Sequence, residues 1–213
     1  MLKSVFNIEN NLEIGVDECA RGPMFGRLYT AGVVLPKIFD HSKMKDSKKI
    51  KSQKKMEELA NYIKENALAW SVDYIEPQEI DEINIRQAVL KSMRTSIKNV
   101  IEKMDNSDVF LVIDGNDFIP MFYDNKKLNH ICVEKGDNTY SFIAAASILA
   151  KYEHDKYINE LCEEYPDLDA KYGLKTNVGY GTKKHLEGIA THGITQWHRK
   201  SYGCCKTAKL NYL

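Results

Sequence analysis

Residues 12–18 read LEIGVDE, a short apolar run that ends in two consecutive acids, Asp17 and Glu18. An apolar run of this length is the pattern of a buried strand, and its two acids mark the strand's end. Working outward, residues 27–35 (RLYTAGVVL) are rich in strand-favouring types and are closed by Pro36. Gly22-Pro23 between the two runs is a turn signal. A lysine-rich loop over residues 43–55 leads into a helix predicted to end near Asn66, and residues 67–74 (ALAWSVDY) read as a third strand. Pro77 opens a short helix. Residues 84–104 carry a helical apolar pattern through Ile85, Val89, Met93, Ile97 and Ile101. Residues 109–113 (VFLVI) form a fourth strand with Asp114 at its end, residues 130–133 a weaker fifth, and residues 140–161 a long helix. From about Gly181 the chain reads as a smaller helical tail with turns. The order predicts an α/β fold: a mixed five-stranded sheet flanked by helices, with a small C-terminal helical extension. The first three strands follow closely enough to be hairpin-linked and antiparallel, and those separated by long helices can run parallel. The expected division is a core over residues 1–170 and an extension over residues 171–213, forming one compact unit.

A chain of 213 residues with 43% hydrophobic side chains is long enough to bury a core, and its composition excludes a disordered chain. No run of about 18 apolar residues occurs, so no membrane-spanning helix is expected. The first eleven residues lack the apolar stretch of a signal peptide. The five cysteines, Cys19, Cys132, Cys162, Cys204 and Cys205, are odd in number and show no CxxC spacing. That argues against a zinc site or a disulfide framework and for a reducing compartment, the cytoplasm.

Four acids stand out by position. Asp17 and Glu18 end the first strand, Asp114 ends the fourth, and Asp137 follows Lys135-Gly136 in the turn after the fifth. Neighbouring strands would gather these carboxylates into one cluster, which is unfavourable without a cation. Hard divalent cations prefer such oxygen donors. Two of them about 4 Å apart activate water and stabilise a leaving oxygen on a phosphodiester. Taken singly, each acid reads first as a solvated loop residue, because loop acids are common.

The stretches around these acids occur in one order: GVDECARGP (15–23), DSKKI (46–50), IDEINIRQAVLKSM (80–93), IDGN (113–116), KGD (135–137), IAAASILAKYEHD (143–155), GYGTKKH (179–185) and HRKSYG (198–203). Together they closely resemble the ribonuclease HII family, the type 2 ribonucleases H, over residues 13–203. The resemblance implies an RNase H-like fold and a metal-dependent endoribonuclease acting on RNA–DNA hybrids and on ribonucleotides embedded in duplex DNA. It implies a cut 5′ of the ribonucleotide that leaves a 3′-hydroxyl and a 5′-phosphate, in ribonucleotide excision repair and hybrid removal. The catalytic and metal-binding acids carry over to Asp17, Glu18, Asp114 and Asp137, around two Mg²⁺ or Mn²⁺ ions with Asp17 as the bridging ligand. Asp155 matches a recurrent position outside that quartet and reads as supporting.

Telling RNA from DNA requires reading a 2′-hydroxyl. The family does so with a Gly-Arg-Gly loop, which here is Ala20-Arg21-Gly22. Ala20 keeps the backbone groups but adds a Cβ and is poorly suited to positive φ. Tyr180 matches the tyrosine that packs on the deoxyribose beyond the junction. Lys48, Lys183 and Arg199 are expected to contact phosphate, with Ser47 and Ser147 as further substrate-binding candidates. His185 reads as structural at a helix start, and Trp70 and Trp197 as core or seam. The partners implied are RNA–DNA hybrid and ribonucleotide-containing duplex DNA, with no membrane, and a monomer is the default. Ribonuclease HIII fits less well, because about a dozen residues precede the first strand and Arg21-Gly22-Pro23 suits HII. A non-cleaving nucleic-acid binder on the same fold would have no reason to keep four repelling acids. Zero net charge, 30 basic against 30 acidic residues, does not exclude a nucleic-acid partner. Residues 43–55 hold seven lysines and one acid, a net +6, and residues 171–213 hold eight basic residues and one acid, a net +7.

Overall fold

A computed structural model describes residues 2–44, 47, 50 and 52–212. The contacts divide the chain into two compact units. The first comprises Met1–Cys19, Tyr29–Asp73 and Val89–Tyr152, and the second comprises Ala20–Leu28, Tyr74–Ala88 and Glu153–Leu213. Residues 171–213 fall entirely in the second.

The sheet has five strands: β1 (Glu13–Cys19), β2 (Leu28–Val34), β3 (Ala69–Ile75), β4 (Phe110–Asp114) and, after a short hairpin described below, β7 (Asn129–Val133). Their order is β3-β2-β1-β4-β7, with β1 central. β1 and β2 pair antiparallel with Asp17 opposite Ala31. β1 and β4 pair parallel through Val16 and Ile113, and β4 and β7 pair parallel through Asp114 and Val133. The mixed sheet read from the sequence is therefore present. All seven residues of β2 are buried, as expected of a strand covered on both faces.

The helices begin on recognisable local signals. α1 (Gln53–Asn66) starts at Ser52, whose hydroxyl accepts from the Lys55 amide at 3.3 Å. α2 (Pro77–Ile83) has proline in its first turn. Asn84, at φ 66, ends α2, and its side chain accepts from the Gln87 amide at 3.2 Å, opening α3 (Ile85–Met104). The long helix α4 spans Ser141–Glu164, three residues further than its apolar pattern suggested. Ala144, Ala145 and Ala146 are fully buried in it. Gly15 sets how closely β1 and α4 approach: a Cβ there would lie 2.6 Å from the Phe142 backbone carbon.

Two features were not read from the sequence. β5 (Phe122–Tyr123) and β6 (Lys126–Lys127) form an antiparallel hairpin. Its turn residues Asp124 and Asn125 have φ of 47 and 61, the left-handed pair that matches strand twist. The C-terminal helices also begin earlier than Gly181, with α5 (Pro166–Tyr172) and α6 (Leu174–Asn177) preceding α7 (Lys183–His192).

Candidate active site

The parallel register places the ends of β1, β4 and β7 side by side. Asp17 and Asp114 each lie one residue beyond the paired Val16 and Ile113. Asp17 is 4% exposed. Burial pushes its carboxyl well above the ordinary carboxylate range, and the charges of Glu18 and Asp114 push it further. Two hydrogen bonds oppose that shift: the Glu18 amide donates to Asp17 Oδ1 at 2.7 Å, and Ser147 bonds the same carboxyl. Ser47 Oγ lies 2.9 Å from Ser147 Oγ. With the Ser147 proton directed at Asp17, the Ser47 hydroxyl donates to Ser147. Both serines are buried, so the structure brings these two substrate-binding candidates to Asp17.

Asp114 is tied to the turn after β7. Its Oδ1 accepts from the Gly136 amide at 2.6 Å and from the Asp137 amide at 3.4 Å. Asp137 itself is 3% exposed, with Asn138 Nδ2 donating to its Oδ1 at 3.1 Å. Asp17, Glu18 and Asp114 are thus joined electrostatically, and Asp137 joins them through its amide, which donates to the Asp114 carboxyl. Among the described residues no three His, Cys, Asp or Glu side chains stand together in ligating position.

The remaining candidates lie in the second unit, apart from Lys48, which is outside the described residues. Ala20 takes φ 67, the left-handed conformation that glycine favours. Arg21 and Gly22 are exposed. Arg199, expected against phosphate, is instead fully buried. Its guanidinium donates to loop carbonyls: Nη2 to Ala20 at 2.8 Å, Nε to Gly26 at 3.0 Å and Nη1 to Arg21 at 3.3 Å. The Tyr202 hydroxyl adds a bond to the Arg21 carbonyl at 3.0 Å. Burial holds the Arg199 pKa below its ordinary value, so these acceptors are what makes a buried guanidinium tolerable. Tyr180 is 46% exposed, and a Cβ on Gly22 would touch its Cε1 at 3.4 Å. Gly179 carries the tyrosine, and a Cβ there would lie 2.6 Å from the Phe25 carbonyl oxygen. Lys183 is exposed at the start of α7, 3.8 Å from Glu187.

A pair of buried histidines was not anticipated. His185 and His198 approach at 3.2 Å through their Nε2 atoms. His185 Nδ1 lies 2.9 Å from the Tyr180 carbonyl, and His198 Nδ1 accepts from the Thr195 amide at 2.9 Å. Burial pushes both pKa values down, His198 to about 3. Both belong to the GYGTKKH and HRKSYG stretches, the one signal that pointed to them.

Comparison with known proteins agrees with this geometry. The family model for ribonuclease HII matches residues 14–205. A ribonuclease HII of Parabacteroides distasonis is 42% identical, covering 90% of this chain and 89% of the relative. One from Bacteroides thetaiotaomicron is 41% identical, covering 94% of both. Among solved structures, the ribonuclease H2 of Pyrococcus horikoshii superposes with a TM-score of 0.73 at 21% identity, covering 92% of this chain and 95% of that one. The RNase HII in a PCNA complex from Archaeoglobus fulgidus gives 0.67 at 26% identity, covering 90% and 95%. Fold and sequence together define a type 2 ribonuclease H, an endonuclease acting on RNA–DNA hybrids. The chain belongs to the ribonuclease HII family.

Two outcomes follow from this geometry. Ala20→Gly removes the Cβ penalty at positive φ and should stabilise the protein by about 1 kcal/mol, read as a higher urea midpoint with an unchanged slope. The histidine pair makes stability fall in acid. A folded pKa of about 3 for His198, against an ordinary 6.5, means the unfolded chain binds more protons between those values. The contribution is complete above pH 6.5 and is lost as pH falls from 6.5 towards 3. The charged and titratable neighbours are Tyr172, edge-on to both rings, and the chain neighbours Arg199 and Lys184. Thermal midpoints should decline through that window, and less steeply in His198→Asn, whose amide accepts from Thr195 without titrating.

Proposed function

We propose that this chain is a divalent-metal-dependent endonuclease that cuts 5′ of ribonucleotides in RNA–DNA hybrids and in duplex DNA, leaving a 3′-hydroxyl and a 5′-phosphate, in ribonucleotide excision repair and hybrid removal. The observation that carries the proposal is the buried Asp17 carboxyl, raised by its own desolvation and by Glu18 and Asp114. A buried acid crowded by like charges is costly, and a bound cation offsets that cost. Asp17, Glu18, Asp114 and Asp137 form an all-oxygen set suited to Mg²⁺ or Mn²⁺. They are the residues that would hold the metal. When bound, two such ions supply an activated water and a stabilised leaving oxygen.

The protein's own groups orient this chemistry. Ser147, backed by Ser47, holds the Asp17 carboxyl, and the Gly136 and Asp137 amides hold Asp114. Backbone groups of Ala20, Arg21 and Gly22 read the 2′-hydroxyl. The exposed Tyr180 ring beside Gly22 packs on the following deoxyribose, where a 2′-hydroxyl would be crowded. Lys48 and Lys183 contact phosphate, while Arg199 acts on the same substrate indirectly by holding the loop carbonyls. Among the described residues no helix is long and apolar enough to cross a membrane, and none of the five cysteines forms a disulfide. A monomer in the cytoplasm is the setting we propose.

The test is a duplex carrying one ribonucleotide, incubated with Mg²⁺ or Mn²⁺ and mapped at nucleotide resolution. Cleavage should fall on the 5′ side of the ribonucleotide, stop on chelation, and drop at least about 100-fold in Asp17→Asn while duplex binding persists. No cut with either metal would remove the enzymatic reading. Tyr180→Ala should lose far more activity on the single-ribonucleotide duplex than on a long hybrid. Equal losses on both would show that the ring does not read the junction.

A further inference from the structure

Two consecutive carbonyls of the 20–22 loop face one cluster of donors. Arg199 Nη2 donates to the Ala20 carbonyl at 2.8 Å. The Arg21 carbonyl takes two donors, the Tyr202 hydroxyl at 3.0 Å and Arg199 Nη1 at 3.3 Å. Arg199 Nη1 also donates to the Tyr202 hydroxyl oxygen at 3.4 Å, so the phenol accepts on one side and donates to the loop on the other. No peptide bond among the described residues is cis. In a trans peptide the C=O and the N–H point in opposite directions. Holding the Ala20 and Arg21 carbonyls towards Arg199 therefore aims the Arg21 and Gly22 amides away from it, at a stretch where both residues are exposed. A ribose 2′-hydroxyl can accept from such a donor.

The turn that carries these donors is braced by α2. Asp81 accepts from the Lys200 amide through Oδ2 at 2.7 Å, and through Oδ1 from the Ser201 amide at 2.9 Å and the Ser201 hydroxyl. Lys200 and Ser201 are the two residues between Arg199 and Tyr202. A carboxylate only accepts, and here its two oxygens meet three donors of one turn. The Tyr202 amide closes that turn on the Arg199 carbonyl at 3.0 Å. α2 is itself fixed by the fully buried Ile80 and by Gln78, whose side-chain amide donates to the Gln196 carbonyl at 2.7 Å. Arg199 has anchors of its own, its amide on the Met24 carbonyl at 2.8 Å and Nε on the Gly26 carbonyl at 3.0 Å. Asp81 bears on the other end of the turn, where Tyr202 stands. All of these residues belong to the second unit.

We propose that Tyr202 and Asp81 are positioning residues for ribonucleotide recognition: Asp81 braces the turn, and the Tyr202 hydroxyl holds the Arg21 carbonyl so that the Gly22 amide faces the 2′-hydroxyl. The inference rests on the reading of the Ala20-Arg21-Gly22 loop given above. The demand for such support comes from Ala20, whose φ of 67 is a conformation that an L-residue keeps only when its surroundings impose it.

Two measurements test this. The first uses the Asp17→Asn protein as a non-cleaving parent. Competition binding gives its preference for a duplex with one ribonucleotide over the same duplex in all-DNA form. Both duplexes carry the same phosphates, so a change in surface charge cancels in the ratio. The parent preference should be at least about tenfold, and Tyr202→Phe and Asp81→Asn should each lower it about fivefold. Asp81→Asn keeps the shape of the side chain and sets an amide donor against a donor of the turn. Because the two residues act in series, the double variant should fall within about twofold of the weaker single variant. An unchanged preference in both single variants overturns the proposal, and so does a double variant whose losses multiply. The second measurement is the carbon-13 NMR shift of Ala20 Cα and Cβ, which reports its backbone conformation without substrate or metal. It should be left-handed in the wild-type protein and move away from that value in Tyr202→Phe and in Asp81→Asn. A lowered preference with unmoved Ala20 signals overturns the route through the loop. A structural role alone would lower the urea midpoint of both variants and leave preference and signals as in the parent. If the parent shows no preference while the Ala20 signals still move, the reading of the loop is what fails, and not the brace.

Discussion

A carboxyl group buried in the central strand, two residues before the strand ends at Cys19, is the constraint the first unit is arranged around. β1 continues an apolar run through Ile14 and Val16, both fully buried, and then places Asp17 at 4% exposure. Desolvating a carboxylate costs several kcal/mol, and here two further acids add to the cost. Packing alone would be served better by valine. The neighbours of Asp17 answer that cost in specific ways. Gly15 leaves room for α4 to approach the strand backbone, and the same helix carries Ser147 to the carboxyl. Ser47, from the loop before α1, fixes the direction of the Ser147 hydroxyl. At the neighbouring strand end, Gly136 gives its amide to Asp114. These bonds hold the acids in place without neutralising them, and that leaves the demand for a cation standing.

The second unit solves the opposite problem. Its buried charge is the Arg199 guanidinium, and its compensation comes from backbone carbonyls of Ala20, Arg21 and Gly26, with no carboxylate among these three acceptors. Carbonyl acceptors leave the loop's amides facing elsewhere and fix its path. That path includes a left-handed alanine, a conformation costing about 1–2 kcal/mol for a residue with a Cβ. The strain persists because Arg199 over-determines the loop on both sides of Arg21. Ala20 therefore holds a conformation that glycine favours, and the chain bears the cost.

Much of this was legible in the sequence, for physical reasons that differ between elements. The β1, β2 and β4 runs are apolar enough to be recognised, and acids at their ends stand out because charge is rare there. Strand adjacency brought Asp17, Glu18, Asp114 and Asp137 to one end of the sheet, which the ordered motifs anticipated. Burial of polar groups was less visible. Ser47 and Ser147 read as candidates for touching nucleic acid, yet they are buried against each other. Arg199 read as a phosphate contact because arginine usually is one, whereas its partners are carbonyls nearly 180 residues earlier in the chain. The hairpin at Asp124-Asn125 was missed because its strands are two residues each, too short for any periodicity. The buried pair of His185 and His198 was missed because its contact joins separate segments of the chain, which no local pattern records.

The balance of 30 basic and 30 acidic residues acquires its meaning from distance. Charges interact over a Debye length of about 8 Å at physiological salt, so a polyanion responds to local patches and not to the total. The net +6 of residues 43–55 and the net +7 of residues 171–213 are offset by acids elsewhere in the chain, three of which are Asp17, Asp114 and Asp137. The cluster acids are buried or half-buried, so their charge is felt mainly within the site. On the proposed reading, a cation there would cancel the part of the acidic total that would most oppose a phosphate at the reacting position. On the same reading the basic segments would attract the rest of the backbone, with the salt sensitivity that counterion release imposes. Metal and substrate would then be coupled by charge: each would lower the electrostatic cost of the other's arrival.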